Sequence, residues 1–422
     1  MPLAIRWLLL LVAGATLAQL ANWVAWWLVR AHPPVATAAS TPRHRQKKAT
    51  VNQRSLAWLP IMGAWRARRS DDPCSGPSGW RPLFVEVILA IVIPALYWWE
   101  IDQAALLQTL APAGFIPDAA DLAVLRAGFL SHVVLIAFML AASLVDVDEQ
   151  TIPDLITIPG TLLWLAIAAV WPHTLLPVVV AGKQAPKVSF LNLASPNDAQ
   201  AILAPAAQST WLVVGLTCFA LWCLALLPWR GKTNRGWAFA LRMLWAGWKR
   251  DPMSIVVLLC AVAGVCGIGC TWWLGGDRWL GLLSALVGMA MGGALIWAVR
   301  VAAGWALGRE AMGFGDVTLM AMIGSFLGWQ TGPIVFFLAP LAGLVVGLIQ
   351  WFAYRDNVIP YGPFLCLAAL VVVLKWGPVW HWAMPLYDLP WLVPTALAVC
   401  LVMLAMLLRV WRTIRGGFDS GE

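Results

Sequence analysis

Two acidic positions in this chain have the residue types and surroundings that hydrolytic chemistry requires. Asp316 lies in the segment Met312-Gly-Phe-Gly-Asp-Val-Thr-Leu319, and Asp146 begins the acidic segment Asp-Val-Asp-Glu-Gln-Thr-Ile-Pro-Asp154. Two carboxyl groups held together near apolar surroundings cannot both ionise cheaply, so they share one proton. The ionised member can accept a proton from water while the protonated member donates to a carbonyl oxygen, which is the chemistry of an aspartic peptidase.

The residues beside these acids favour sharp turns. Gly313 and Gly315 lack a Cβ, so the backbone can turn and pass close to a neighbouring helix or a substrate. Pro153 prevents the helix that ends near Asp146 from continuing into the next one. Taken alone, neither signal is specific, because an acid at the end of a membrane helix is usually a solvated interfacial residue.

The composition indicates a membrane protein. Of 422 residues, 61% are hydrophobic and 11% are charged, and the mean hydropathy is +0.78. Soluble domains have about 25% charged residues. The sequence predicts an all-α, polytopic membrane helical bundle of about eleven helices, at 7–29, 83–99, 122–145, 157–180, 209–228, 254–275, 279–299, 317–330, 333–353, 362–376 and 391–408.

The distribution of charge predicts the orientation. Most of the 28 Lys and Arg residues lie in alternate loops and at the C-terminus, which places the N-terminus outside and the C-terminus in the cytoplasm. The basic charge is therefore a topology signal and not a nucleic-acid surface, and the basic segment 31–70 is expected near anionic lipid. This orientation brings Asp146 and Asp316 to the same cytoplasmic edge of the inner membrane.

Four segments in order resemble the type IV prepilin peptidases, a family of Gly-x-Gly-Asp membrane aspartic peptidases. Glu310–Trp329 resembles the second catalytic motif of the family, Leu144–Pro159 the first, Ile359–Phe364 the segment that follows, and Arg81–Glu86 the start of the second membrane helix. Together these matches span roughly residues 80–370, and their order makes them more specific than any one motif.

The resemblance implies roles for individual residues. The family's catalytic pair falls on Asp146 and Asp316, and its loop glycines on Gly313 and Gly315. The implied substrates are prepilins or type II secretion pseudopilins, which carry a short basic leader and are cut on the cytoplasmic side after a Gly. We hypothesise that the remaining acids of the first motif attract this leader: Asp148, Glu149 and Asp154.

The chain departs from the family pattern at two places. Many members have a four-Cys zinc segment, linked to methylation of the new N-terminus, where this chain keeps only Cys74 between Arg54 and Trp80. One thiolate cannot form a tetrahedral zinc site. We therefore expect no structural zinc, and S-adenosylmethionine would serve as a cofactor only if methyltransferase activity is retained. Thr318 stands where the family often has Lys, so its effect on the neighbouring Asp316 is left open.

The domain organisation follows from these motifs. It comprises an N-terminal membrane anchor (1–30), a basic cytoplasmic loop (31–82), the first part of the peptidase core (83–180), an insertion with two extra membrane helices (181–277), the second part of the core (278–376), and a last helix with a cytoplasmic tail (377–422). Two alternatives remain: a relative that cleaves another single-span substrate, and a transporter or assembly subunit without peptidase activity. A transporter would hold its acids near the middle of the bilayer.

Overall fold

The structure, a computed structural model, describes residues 3–31, 80–112, 115–180, 186–226, 252–308, 310, 312–353, 360–389 and 391–419. Over these residues the fold is all-α apart from one small antiparallel ribbon, and the all-α class agrees with the prediction from the sequence. Its helices are α1 Leu3–Ala31, α2 Trp80–Tyr97, α3 Ala119–Glu149, α4 Asp154–Val170, α5 Gln200–Leu203, α6 Pro205–Ala225, α7 Pro252–Leu274, α8 Gly276–Leu307, α9 Phe314–Leu327, α10 Thr331–Ala353, α11 Gly362–Leu374, α12 Trp376–Tyr387 and α13 Leu392–Asp419.

Seven of the helices in the described residues are long and apolar enough to cross a membrane: α1, α2 with its π-helical extension to Asp102, α3, α6, α7, α8 and α13. An eighth span results if α11 and α12, which meet at 94°, count as one broken span. Three further apolar helices, α4, α9 and α10, are shorter over their described residues. The chain is therefore a multi-pass membrane protein, but the predicted count of eleven and the predicted orientation of the termini are not confirmed.

The predicted span 157–180 is wrong in its second half. Helix α4 ends at Val170 and is followed by a short 3-10 turn (Pro172–Thr174) and by strand β1 (Pro177–Val180). Strand β2 (Lys187–Phe190) pairs antiparallel with β1. Two features explain the change: Pro172 cannot continue the helix, and the β-branched run 178–180 suits a strand.

The ribbon lies at the opposite end of α3 from Asp146. Asp121, in the first turn of α3, forms a capping box with Asp118 and also accepts a hydrogen bond from the Val188 amide (3.2 Å). Because α3 has 31 residues, at about 1.5 Å per residue its two ends are roughly 45 Å apart. Asp118 and Asp121 therefore cap the N-terminus of α3 at this end of the bundle, and the acids of the first motif lie at the other end.

Helix α9 is the buried centre of the bundle. Every residue from Val317 to Leu327 is buried, and the helix packs mainly on α8, with further contacts to α4 and α10. Glycines make the α8–α9 contact close, since a Cβ on Gly324 would lie 2.3 Å from the Gly288 carbonyl oxygen and one on Gly292 would lie 2.5 Å from that of Met320. Small residues at such spacing let membrane helices approach to backbone contact. The first turn of α9, which carries Asp316, is thereby fixed relative to α8.

Candidate active site

Asp146 lies in the last turn of α3 and is only 4% exposed. Its Oδ2 accepts a hydrogen bond from the Gly362 amide at 3.1 Å, at the start of α11. Helix α3 ends because Gln150 adopts the left-handed conformation (φ 55°) and donates its amide proton to the Asp146 carbonyl oxygen. The helix thus stops at Gln150, before Pro153, which instead stands at the N-cap of α4.

Asp316 lies in the first turn of α9, directly after the glycine loop, with Gly313 at the N-cap. Burial, together with the nearby negative charge of Asp146, raises the pKa of its carboxyl group to about 7. A charge effect of this kind requires the two carboxyl groups to be close. The structure therefore brings together two acids that are 170 positions apart in the sequence.

Close backbone packing joins the segments that carry the two acids. A Cβ on Gly315 would lie 2.7 Å from the Ile152 carbonyl oxygen, and a Cβ on Gly362 would lie 2.5 Å from Asp146 Oδ2 and 2.7 Å from Ile152 Cδ1. Glycine is required at both positions because a side chain would displace backbone or a carboxyl group. Gly313 has more room, because the atom nearest to an added Cβ is Asp316 Oδ2 at 3.7 Å.

Tyr361 is the next side chain beside the pair. It immediately precedes Gly362, and burial together with the charge of Asp316 raises the pKa of its phenol to about 12. The phenol therefore keeps its proton at neutral pH and can act as a hydrogen-bond donor next to the carboxyl groups. The sequence signal for this residue was its place in the Ile359–Phe364 segment, but no role was predicted for it.

Two arginines that sequence reasoning did not select support the site. Arg300 of α8 donates from Nε to the Met312 carbonyl oxygen (3.0 Å), and its guanidinium lies 5.8 Å from the Phe314 ring centroid. Arg81 of α2 donates to the Leu144 carbonyl oxygen (3.0 Å) and forms an ion pair with Asp148. Both arginines hold backbone beside a candidate catalytic acid. Arg81 begins the Arg81–Glu86 segment that resembles the family, and Arg300 directly follows a predicted span, but no role was predicted for either residue.

The three acids predicted to attract a basic leader have different surroundings. Asp148 is already paired with Arg81. Asp154 starts α4 on the exposed surface, and one of its oxygens, Oδ1, lies 3.3 Å from the Thr318 hydroxyl. Glu149 is partly exposed at the end of α3. All three lie at the Asp146 end of the bundle: Asp148 and Asp154 are exposed and Glu149 is partly exposed.

The buried pair of Glu100 and His132 was not predicted from the sequence. His132 Nδ1 lies 2.8 Å from Glu100 Oε1, and both side chains are 1% exposed. Glu100 belongs to the π-helical turn Trp98–Asp102 that extends α2, and His132 lies in the middle of α3. The pair joins two membrane helices and has no contact with the candidate active site.

No group of three or more His, Cys, Asp or Glu side chains in the described part of the chain is arranged to hold a metal ion. The expectation about zinc concerns the stretch 54–80, of which residues 54–79 lie outside the described residues. The seven cysteines within the described residues are free thiols.

The raised pKa of Asp316 predicts a pH dependence of stability. An acid whose pKa is raised on folding binds more protons in the folded state, so stability is lost as the pH rises from about 4 through about 7. The loss is at most about 1.4 kcal/mol per pH unit. Asp316→Asn removes this titration and should unfold at a higher temperature than the wild type at pH 8, with the difference vanishing near pH 4. Thermal unfolding in detergent measures it, and equal pH dependence of both proteins would contradict the burial of Asp316.

The fold and the site define a multi-pass helical membrane protein with a two-aspartate site at one end of its bundle. Residues 251–348, which contain Asp316 but not Asp146, match the model of the type IV leader peptidase family. No solved structure matches the chain.

Curated relatives carry the name "Prepilin leader peptidase/N-methyltransferase". The relative from Aeromonas salmonicida is 36% identical over 107 residues, which cover 25% of this chain and 36% of the relative. Those from Pseudomonas aeruginosa and Pectobacterium carotovorum are 34% and 37% identical over 113 and 114 residues, covering 24% of this chain in each case and 39% and 40% of the relatives. The resemblance predicted from the motifs is confirmed for this segment.

The matches also bear on the extent of the similarity. The chain spans between 36% and 40% of the length of these three relatives. The family match starts at residue 251, inside the predicted insertion 181–277, so helix α7 lies within the matched segment. The domain boundaries remain predictions.

Proposed function

We propose that the chain is an aspartic endopeptidase that removes the N-terminal leader of type IV prepilins or type II secretion pseudopilins at the cytoplasmic face of the inner membrane. The observation that carries this proposal is the close packing of Gly315 on Ile152 and of Gly362 on Asp146, which joins the segments that carry the two acids. The charge of Asp146 raises the pKa of Asp316 across this contact. The similarity to proteins named prepilin leader peptidases supports the substrate class. The methyltransferase part of those names is not included in the proposal.

The chemistry assigned to the pair needs only two carboxyl groups and water. We assign the shared proton to Asp316, whose pKa is raised to about 7, and the role of base to Asp146. Asp146 takes a proton from water as the new C–O bond forms, and Asp316 donates its proton to the carbonyl oxygen. When the C–N bond breaks, Asp146 passes its proton to the leaving nitrogen and Asp316 recovers its own from the hydroxyl of the tetrahedral intermediate. Tyr361 can donate a further hydrogen bond beside Asp316.

The position of the acids disfavours a transporter. Asp146 lies in the last turn of a 31-residue helix, and Asp316 lies in the first turn of α9. Acids at helix ends lie toward one end of the bundle, whereas a transporter would hold its acids near the middle of the bilayer.

The deciding experiment reconstitutes the purified chain in liposomes with a type IV prepilin that carries a basic leader. We expect cleavage after the leader Gly, located by mass spectrometry, and no cleavage by Asp146→Asn/Asp316→Asn prepared in parallel. Cleavage that persists in the double variant, or an intact substrate with the wild-type protein, would contradict the proposed function.

A second arm tests the leader contacts. The triple variant Asp148→Asn/Glu149→Gln/Asp154→Asn removes three charges, and each exposed charge pair contributes up to about 1 kcal/mol. We therefore expect KM for the basic-leader substrate to rise by about tenfold, with a smaller rise for a substrate whose leader Lys and Arg residues are changed to Gln. Equal KM values for wild type and triple variant would contradict an electrostatic role for these acids.

A further inference from the structure

Thr318 lies at a contact between three segments of the candidate active site. It is two residues after Asp316 in the same turn of α9 and is 3% exposed. Its hydroxyl lies 3.0 Å from the Gly315 carbonyl oxygen and 3.3 Å from Asp154 Oδ1. It also accepts a hydrogen bond of 3.0 Å from the Thr157 hydroxyl of α4.

The bond to Thr157 distinguishes Thr318 from the other buried hydroxyl groups of these helices. Thr161 donates to the Thr157 carbonyl oxygen and Ser325 donates to that of Met322, so both bonds stay within one helix. Such local bonds are common for Ser and Thr in helices and do not fix one helix against another. The Thr157–Thr318 bond connects α4 to α9, and both of its side chains are buried.

The bond has a consequence for Asp316. Two hydrogen bonds hold the backbone that precedes Asp316. Arg300 donates to the Met312 carbonyl oxygen, and Thr318 donates to that of Gly315, the residue immediately before Asp316. Without the Thr318 hydroxyl, the first turn of α9 would lose its polar link to α4, and Thr157 would keep a buried hydroxyl with its partner removed. A misplacement of about 1 Å in a catalytic group can cost about 100-fold in rate.

We propose that Thr318 is a positioning residue, which sets the carboxyl group of Asp316 against Asp146 through its hydrogen bonds to Thr157 and to the Gly315 carbonyl oxygen. This inference rests on the proposed peptidase function. It assigns a role to the residue where the sequence departs from the family it resembles.

The test compares steady-state cleavage of the same prepilin by Thr318→Val, Thr318→Ser and Thr157→Val, with Thr161→Val as the matched control on α4. We expect Thr318→Val to lower kcat by about 10- to 100-fold with KM changed less than about twofold. Thr318→Ser keeps the hydroxyl and should recover most of the rate. The double variant Thr157→Val/Thr318→Val should be no slower than Thr318→Val, since both changes break one link.

Several outcomes would overturn the inference. If kcat of Thr318→Val equals that of Thr161→Val while the wild type cleaves the prepilin, Thr318 does not position Asp316 and the proposed function stands. If Thr318→Ser is as slow as Thr318→Val, the methyl group matters and the hydroxyl does not. Should Thr318→Val fail to fold in a thermal unfolding measurement, Thr157→Val decides, and a control-like kcat for it contradicts the inference. A wild-type chain that cleaves no prepilin removes the proposed function and this inference together.

Discussion

Asp316→Asn and Asp146→Asn are each expected to lower kcat for prepilin cleavage by about 10³-fold or more. Asn has nearly the shape of Asp but can neither accept the proton of water nor return it. Because the two carboxyl groups act as one unit that shares a proton, the double variant should be no slower than the slower single variant. Rates are measured with purified protein at the pH of maximal wild-type activity.

A matched acid elsewhere in the bundle provides the control. Asp102 lies at the end of the π-helical extension of α2 and is paired with Arg6 at 2.7 Å. Asn keeps the shape of Asp and an acceptor oxygen for Arg6, so Asp102→Asn should leave the cleavage rate near that of wild type.

The stability of the variants separates chemistry from folding. Asp316→Asn removes a buried acid whose ionisation disfavours the folded state, so an inactive Asp316→Asn should be at least as stable as wild type above pH 7. A rate loss of less than tenfold in either single variant, with folding intact, would contradict the assignment of the pair.

The sequence marks the two candidate acids more clearly than it marks the residues that contact their segments. Asp146 ends one long apolar run and Asp316 directly precedes another, and the charge pattern predicts that both lie at one edge of the membrane. Gly313 and Gly315 belong to a motif of four residues. By contrast, three side chains contact backbone carbonyl groups near the acids: Arg81 that of Leu144, Arg300 that of Met312 and Thr318 that of Gly315. The sequence alone does not indicate these contacts.

The errors in the predicted fold have a similar origin. Hydropathy averaged over a window cannot distinguish a helix from an apolar strand, so the stretch from 171 to 180 was included in a span although it contains β1. The predicted span 317–330 has the same length as α9, 14 residues, but hydropathy does not indicate that every residue from Val317 to Leu327 is buried. The central position of α9 depends on close contacts with glycines in α8. The sequence does not show that these glycines matter, because it does not show that the two helices are neighbours.

Gly324→Ala is expected to have the second largest effect, although Gly324 lies eight positions beyond Asp316 in α9. The added Cβ would lie 2.3 Å from the Gly288 carbonyl oxygen and 3.0 Å from its carbon. These are backbone atoms in the middle of α8, so they cannot rotate away and the two helices must separate. Overpacking of this kind costs about 1–3 kcal/mol, occasionally more. Separation also moves the first turn of α9 away from Asp146, for which we expect a cleavage rate about 100-fold lower.

Gly128→Ala is the matched control for this prediction. Gly128 is also buried within a long helix, α3, but an added Cβ there meets no atom within 4 Å. Because Ala is favoured over Gly in a helix by about 1 kcal/mol, Gly128→Ala should be as stable as wild type or more stable, whereas Gly324→Ala should unfold at a lower temperature. The opposite signs expected for one chemical change separate a helix contact from a general effect of Ala. If Gly324→Ala matched Gly128→Ala in unfolding temperature and cleavage rate, the α8–α9 contact would not be what holds Asp316 in place.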